Sequence, residues 1–226
     1  MISGLVRYSS ATFKVIAGFC TGLVLSAVPS QAHPHVFVDG GVDFVISAQK
    51  DLSALRVTWL YDAFESLFIL SSLGISPNAA DQLEDADRQA LIEHEGNWSD
   101  DFEGSAHLSV DGQSIAMERP VDMGVDLIDG RLQVTFTRNL KSPVNLGDAT
   151  AEVAFYEATY FYAFAATRRP QVFNAKGACL AEVAPFSPDA QDAAMQAALS
   201  ILSKEETPQI SQVGALFADK IVVRCE

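Results

Sequence analysis

Two histidines separated by a proline, His33-Pro34-His35, follow directly on Ser30-Gln31-Ala32. Ser30 and Ala32 are the small residues that a signal peptidase reads, so cleavage after Ala32 makes His33 the first residue of the mature chain. A terminal histidine supplies two donors at once, its α-amine and its ring Nδ1, which together close one chelate ring on a metal ion. The amine has a reference pKa of about 7.7–8.0, so losing its proton near neutrality costs little. His35 lies two positions on, and in an extended chain its ring points to the same side, roughly 7 Å away at the base. Pro34 has no amide N–H, which blocks a square-planar chelate through deprotonated backbone nitrogens. What is left is one amine and two imidazoles, completed by a carboxylate or water. That set suits tetrahedral Zn2+ and also Ni2+, Co2+ or Cu2+. The donors must be neutral to bind, so the expected site competes with protons.

Asp62 is the first choice for a third protein ligand. With Glu65 it also has the spacing of a helix capping pair, which needs no metal and contributes roughly 1 kcal/mol. Glu157 shares the strand parity of Val153 and Phe155 in "VAFYEATYFYAF". Either an acid points where the core is expected and needs a partner, or the strand ends and Glu157 opens a turn. Glu65 and Glu157 are therefore secondary metal candidates. Asp39 and Asp43 read as a solvated strand face. His94 falls on the apolar stripe of its helix and reads as a core or edge histidine, while His107 alternates outward against Ala106, Leu108 and Val110. Tyr156, Tyr160, Phe161 and Tyr162 read as core aromatics with wet tips. No nucleophile–histidine set, zinc-protease helix or glycine-rich phosphate loop is legible, so no catalytic residue is assigned.

Residues 1–32 read as a secretory signal. Arg7 and Lys14 precede the apolar run Val15–Val28, which at about fourteen residues is short for a bilayer span. The product is expected to be exported to the periplasm, with no membrane insertion of the mature chain. Cys20 leaves with the signal, and Cys179 with Cys225 reads as one disulfide in an oxidising compartment. Closing a loop of roughly 45 residues contributes about 3–4 kcal/mol. The full chain carries a net charge of −14, and loss of Arg7 and Lys14 takes it to about −16. Such a surface repels nucleic acid and anionic lipid and draws in cations weakly.

The elements that must hold the candidate ligands follow from periodicity. His35–Ser47 alternates as a strand, with Gly40-Gly41 expected to form a bulge. Leu55, Val57 and Trp59 mark a second strand. Asp62 opens an apolar helix over Phe64–Leu73 that stops at Gly74, and Ala79–Glu95 reads as an amphipathic helix with Leu83, Ala86, Ala90 and Leu91 inward. Asp111-Gly112 is a tight hairpin turn. Strands are expected near Val121–Leu127, Arg131–Thr137, Ala149–Glu157, Ala178–Val183 and Lys220–Cys225. A helix runs from Ser187-Pro188 to about Ser203, and a short one lies near Gln209–Ala218. The fold class is α+β, an antiparallel sheet or sandwich core with helices inserted after the second strand and near the C-terminus. The expected organisation is a signal over 1–32 and one domain over 33–226, with helical segments at about 62–95 and 187–218.

Taken together, "AHPHVFVD", "VTWLYDAFES", "LSVDGQ", "VAFYEATYFYAF" and "ADKIVVRC" resemble a family of bacterial periplasmic proteins. It has been labelled an uncharacterised ABC-type transport system periplasmic component and a domain of unknown function. Its members look like the Zev-type zinc-acquisition protein, which works with an inner-membrane permease of the nickel/cobalt type. The resemblance spans about His33 to Cys225. It aligns the family's leading histidines with His33 and His35, its acid with Asp62, its tyrosine–aspartate pair with Tyr156 and Glu157, and its cysteines with Cys179 and Cys225. Two departures stand out. "GISPNAADQLEDADRQ" lacks the spacing of a calcium loop, so no calcium site is expected, and Glu157-Ala158 replaces the usual Asp-Pro. The resemblance implies a metal-binding accessory protein that captures a divalent transition metal, Zn2+ first, for an inner-membrane permease. Two rivals are a copper enzyme using His33 as a histidine brace, with His94 or His107 opposite, and a metal-free subunit that stabilises a transporter.

Overall fold

The structure, a computed structural model, describes residues 34–78, 82–99, 102–175, 179–202, 206 and 208–226. His33 and the expected signal, 1–32, lie outside the described residues. Two sheets face each other. The first runs in the order β5 (Met117–Ile128), β6 (Arg131–Asn145), β2 (Asp51–Tyr61), β1 (Val36–Ile46), β8 (Tyr162–Ala166), and β9 (Val172–Phe173) pairs further along β1. The β8 and β9 strands run parallel to β1, and every other pairing is antiparallel. The second sheet runs β10 (Cys179–Ala184), β11 (Asp219–Cys225), β7 (Ala151–Phe155), β3 (Ala106–Val110), β4 (Gln113–Ser114). The inner faces share one cluster, to which β1 gives Val38, Val42 and Phe44, β2 Leu55, Val57 and Trp59, and the second sheet Leu108, Val153, Phe155 and Ile221. The α+β sandwich expected from the sequence is the observed architecture.

Strict alternation explains the long strands. In β1 the even positions from Val36 to Ile46 all point inward, so one face enters the core and the other stays half exposed. Gly40-Gly41 is not a bulge. Gly40 pairs with Trp59 and Gly41 with Thr58 in unbroken register, and the irregularity falls at Val45/Ile46 instead. The glycines serve close approach: a Cβ on Gly40 collides with the Thr58 carbonyl, and one on Gly41 lies 3.1 Å from the Cβ of Arg168. The Asp111-Gly112 turn has positive φ at both positions, 47° and 77°, as a two-residue type I′ hairpin requires.

The first helix, α1 (Ala63–Ser72), lies where expected and ends before Gly74, whose φ is 70°. The second, α2 (Asp85–Gly96), starts later than the expected Ala79, and 79–81 lie outside the described residues. Asn78 and Gln82 exchange backbone and side-chain hydrogen bonds ahead of the helix. Asp85 and Asp87 then occupy the first turn, where the helix dipole favours acids. Its buried residues are Leu91 and Glu95. Ala86 and Ala90 are exposed, against the inward positions expected, and so is His94, which takes the edge rather than the core option. The C-terminal helix, α3 (Ala190–Leu199), is shorter than the expected span and capped by an Asp189/Asp192 box. Gln209–Ala218 contains a 3-10 turn at Val213–Phe217. Cys179 and Cys225 face each other across β10 and β11 and are disulfide-bonded. No helix among the described residues is long and apolar enough to cross a membrane.

Candidate functional site

Three of the sequence-chosen residues are built around the start of β1. The His35 amide donates to the Phe161 carbonyl at 2.9 Å, and the two rings pack with centroids 4.8 Å apart. Phe161 is itself set by Glu157. Its carboxylate accepts from the Thr159 amide at 2.8 Å, the Thr159 hydroxyl at 2.9 Å and the Phe161 amide at 3.0 Å. The strand β7 ends at Phe155, so Glu157 takes the turn-forming option and orders the segment that leads into β8. Tyr160 in that turn has φ 61°, a left-handed conformation that these hydrogen bonds help hold.

Asp62 is the N-cap of α1. One oxygen accepts from the Glu65 amide at 2.9 Å and the other from the Phe37 amide at 2.8 Å. The Asp62 amide donates to the Phe37 carbonyl at 2.9 Å, where a full capping box would place the Glu65 side chain. Asp62 thus ties the helix start to β1 two residues past His35. Glu65 turns elsewhere, and the Tyr162 hydroxyl donates to it at 3.4 Å. Tyr162 pairs with Val36 in the parallel β1–β8 ladder, next to His35.

Beneath this end lies a layer that the sequence reading missed. The Tyr61 hydroxyl donates to buried Glu95 at 2.8 Å. Burial is the main cause holding both the Tyr61 phenol and the Glu95 carboxyl above their ordinary pKa values, with the Tyr61 hydrogen bond and His94 pulling Glu95 back down. The Tyr162 phenol is also raised, first by burial and then by the negative fields of Glu65, Glu95 and Glu157. The Tyr162 hydroxyl meets Glu65 directly, and Glu157 holds the neighbouring Phe161 amide. One available signal was Glu95 itself, four residues after Leu91 and so on the same helix face. Asp39 and Asp43 do not join this group. Asp39 pairs with Arg131 at 2.9 Å, and Asp43 accepts from the Gln171 amide at 2.8 Å.

The family model described as "Protein of unknown function (DUF1007)" matches residues 18–225. The chain belongs to that family. A relative from Haemophilus influenzae, an uncharacterized protein, is 24% identical over 200 residues, which is 86% of this chain and 92% of the relative. The family match, over residues 18–225, covers both sheets, the helices of the described residues and every candidate residue discussed above.

Among the described residues no group of three or more histidine, cysteine, aspartate or glutamate side chains is already gathered as a metal shell. His107 lines a small cavity with Glu157, and both of its ring nitrogens already have partners. Its ring nitrogens contact Glu103 at 3.0 Å and the Tyr156 carbonyl at 3.2 Å, and it stacks on Tyr156 at 4.0 Å. His94 approaches Glu95 at 4.0 Å from the exposed side of α2.

The same end of the molecule carries an exposed apolar face. On α1, Phe64, Leu67 and Phe68 are 77%, 63% and 59% exposed, while Ser66, Ile69 and Leu70 face the core. Phe37, held against Asp62, is also exposed. The spacing i, i+3, i+4 puts the three α1 residues on one stripe. Contiguous apolar surface of this kind marks interaction sites on proteins.

Proposed function

We propose that this is a periplasmic metal-binding accessory protein that captures a divalent transition ion, Zn2+ first and Ni2+, Co2+ or Cu2+ as alternatives, and passes it to an inner-membrane permease of the nickel/cobalt type. In this reading the ion is cargo. The mature His33 supplies amine and ring, His35 supplies a second ring, and Asp62 is the nearest carboxylate along the β1–α1 junction, with Glu65 and Glu157 behind it. The observation that carries the reading is that Glu65, through the Tyr162 hydroxyl, and Glu157, through the Phe161 amide, are both tied to the segment that pairs with β1 beside His35, so two carboxylates stand at the end that would receive a cation.

Asp62 and Glu157 each spend lone pairs on backbone amides. A carboxylate offers about four acceptor positions, so Asp62, which accepts two amides, retains about two. Affinity then rests mainly on the two imidazoles and the amine. The exposed α1 stripe next to that end is the surface offered to the permease. A strongly acidic chain is repelled by anionic lipid, which favours an apolar protein surface as the occupant over the bilayer itself.

The test is a zinc titration of protein that begins at His33 against protein that retains one extra residue before it. The extra residue turns the amine into an amide and removes a donor. A loss of tenfold or more in affinity supports the reading, and equal affinity refutes it.

A further inference from the structure

On the outer face of the first sheet the strand register lays out two rows. Asp43, Arg56 and Thr137 form one, and Gly41, Thr58 and Thr135 form the next. Arg56 and Thr58 sit two residues apart on β2, so their side chains rise on the same face roughly 7 Å from each other. Gly41 leaves a notch in the second row, and Arg168, from the segment between β8 and β9, fills it. The Arg168 amide donates to the Gly40 carbonyl at 3.0 Å, and its guanidinium donates to the Thr58 hydroxyl. Thr58 is buried as a result, although it lies on the outer face. Arg56 lies over the Phe173 ring of β9, 4.4 Å from its centroid. Two guanidinium groups, each seated by a neighbour, therefore flank one groove of about 440 Å3, whose walls also include Gln133, Thr135 and Thr137.

The charge pattern says what such a groove accepts. In a chain of net charge −14, Arg88, Arg131, Lys220 and Arg224 all have carboxylate partners. Among the described residues no ion pair involves Arg56 or Arg168. Two aspartates also line the groove. Asp43 already accepts from the Gln171 amide, and Asp122 stands at a left-handed position, φ 53°, where β5 breaks register. Donors still outnumber carboxylates in the lining: two guanidiniums, the Gln133 carboxamide and the Thr58 and Thr137 hydroxyls, while the Thr135 hydroxyl donates to the Gly124 carbonyl at 3.4 Å. Guanidinium matches the paired oxygens of carboxylate or phosphate, and the volume falls in the range of small-molecule sites.

We propose that this groove binds a small oxyanion ligand, a carboxylate or phosphate carried by a hydroxyl-bearing molecule, through Arg56 and Arg168. The site is separate from the proposed metal end and does not depend on it. The test titrates the mature protein with citrate, with inorganic phosphate and with glycerol as a neutral control, followed by amide chemical shifts. Saturable shifts in Arg56, Thr58, Thr137 and Arg168 are expected with one or both anions and not with glycerol. The anion that binds more tightly identifies the headgroup. Arg56→Gln and Arg168→Gln should each weaken binding at least tenfold, and Arg169→Gln, which faces the neighbouring groove, should leave it unchanged. Because Arg168 also packs on Thr58, Arg56→Gln carries the test if Arg168→Gln fails to fold. Absence of saturable binding by either anion, or unchanged affinity in Arg56→Gln, overturns the proposal.

Discussion

Glu157 separates two roles that a carboxylate near the proposed metal end can have. As a positioning residue it acts through Phe161 on His35, and as a ligand it would touch the ion. Glu157→Ala removes the acceptor of three hydrogen bonds, takes the side-chain acceptor from the Thr159 amide and leaves the Phe161 amide only its longer bond to the Thr159 hydroxyl. Hydrogen bonds to a charged group contribute about 1.5–3 kcal/mol each when buried. These are half-exposed, and the Thr159 hydroxyl stays within 3.3 Å of the Phe161 amide, so water and that hydroxyl recover part of the loss. The net destabilisation should be about 2–3 kcal/mol, or roughly 5–10 °C in Tm for a chain of this size. Glu157→Gln keeps an acceptor and loses only the charge, so it should cost about 1 kcal/mol. Thermal melting reads the stability, and a zinc titration of the Gln variant reads the role. The positioning account expects zinc affinity within about twofold of wild type for Glu157→Gln. A tenfold loss, about 1.4 kcal/mol, would make Glu157 a ligand. An unchanged Tm in Glu157→Ala would refute the hydrogen-bond argument altogether.

Two further outcomes follow from the same end of the molecule. Burial raises the folded-state pKa of Glu95, so the folded chain holds this proton more tightly than the unfolded chain. The contribution is fully present below the unfolded carboxyl pKa of about 4.3 and is lost as pH rises through the folded value. Glu95→Gln, which can still accept from Tyr61, should therefore melt higher than wild type at pH 8, with the difference vanishing near pH 4; a difference that grows toward low pH would reverse the assignment. The stripe on α1 faces solvent, so Phe64→Ser with Phe68→Ser should shift Tm by only a few degrees while impairing zinc delivery in cells that depend on this protein. A large fall in Tm would place those rings in a core, and intact delivery would remove the stripe from docking.

The strands that carry the core were legible because their alternation is strict: β1, β2 and β11 lie within a few residues of the expected positions, and β6 starts at the expected Arg131 but runs eight residues past Thr137, to Asn145. The strands β8 and β9 were not. "YFYAFAA" has no alternation, since β8 is half-exposed at all five positions, and β9 is two residues long. Their pairing with β1 is parallel and joins residues more than a hundred positions apart. No local period announces such a contact. The early start given to α2 has a similar origin, because "NAADQLEDADRQA" has helix-forming composition throughout while the Asn78–Gln82 contact is a matter of hydrogen bonding.

The candidate ligands were chosen by residue type, and each choice depended differently on the missed strand. Asp62 is local to the β2–α1 junction, so its capping role could be read from four residues. Glu157 and Glu65 make sense only once β8 lies against β1, since Phe161 and Tyr162 are the residues through which they reach the His35 end. Glu95 needs in addition the correct phase of α2, which turns it toward Tyr61 and sends His94 outward. The Gly40-Gly41 pair follows the same logic. Two glycines in a strand could mark a bend or a close approach, and what decides between them is Arg168, which arrives from the far end of β8. One parallel strand added to β1 thus organises both the acidic end beside His35 and the arginine groove, which is why neither could be assembled from spacing alone.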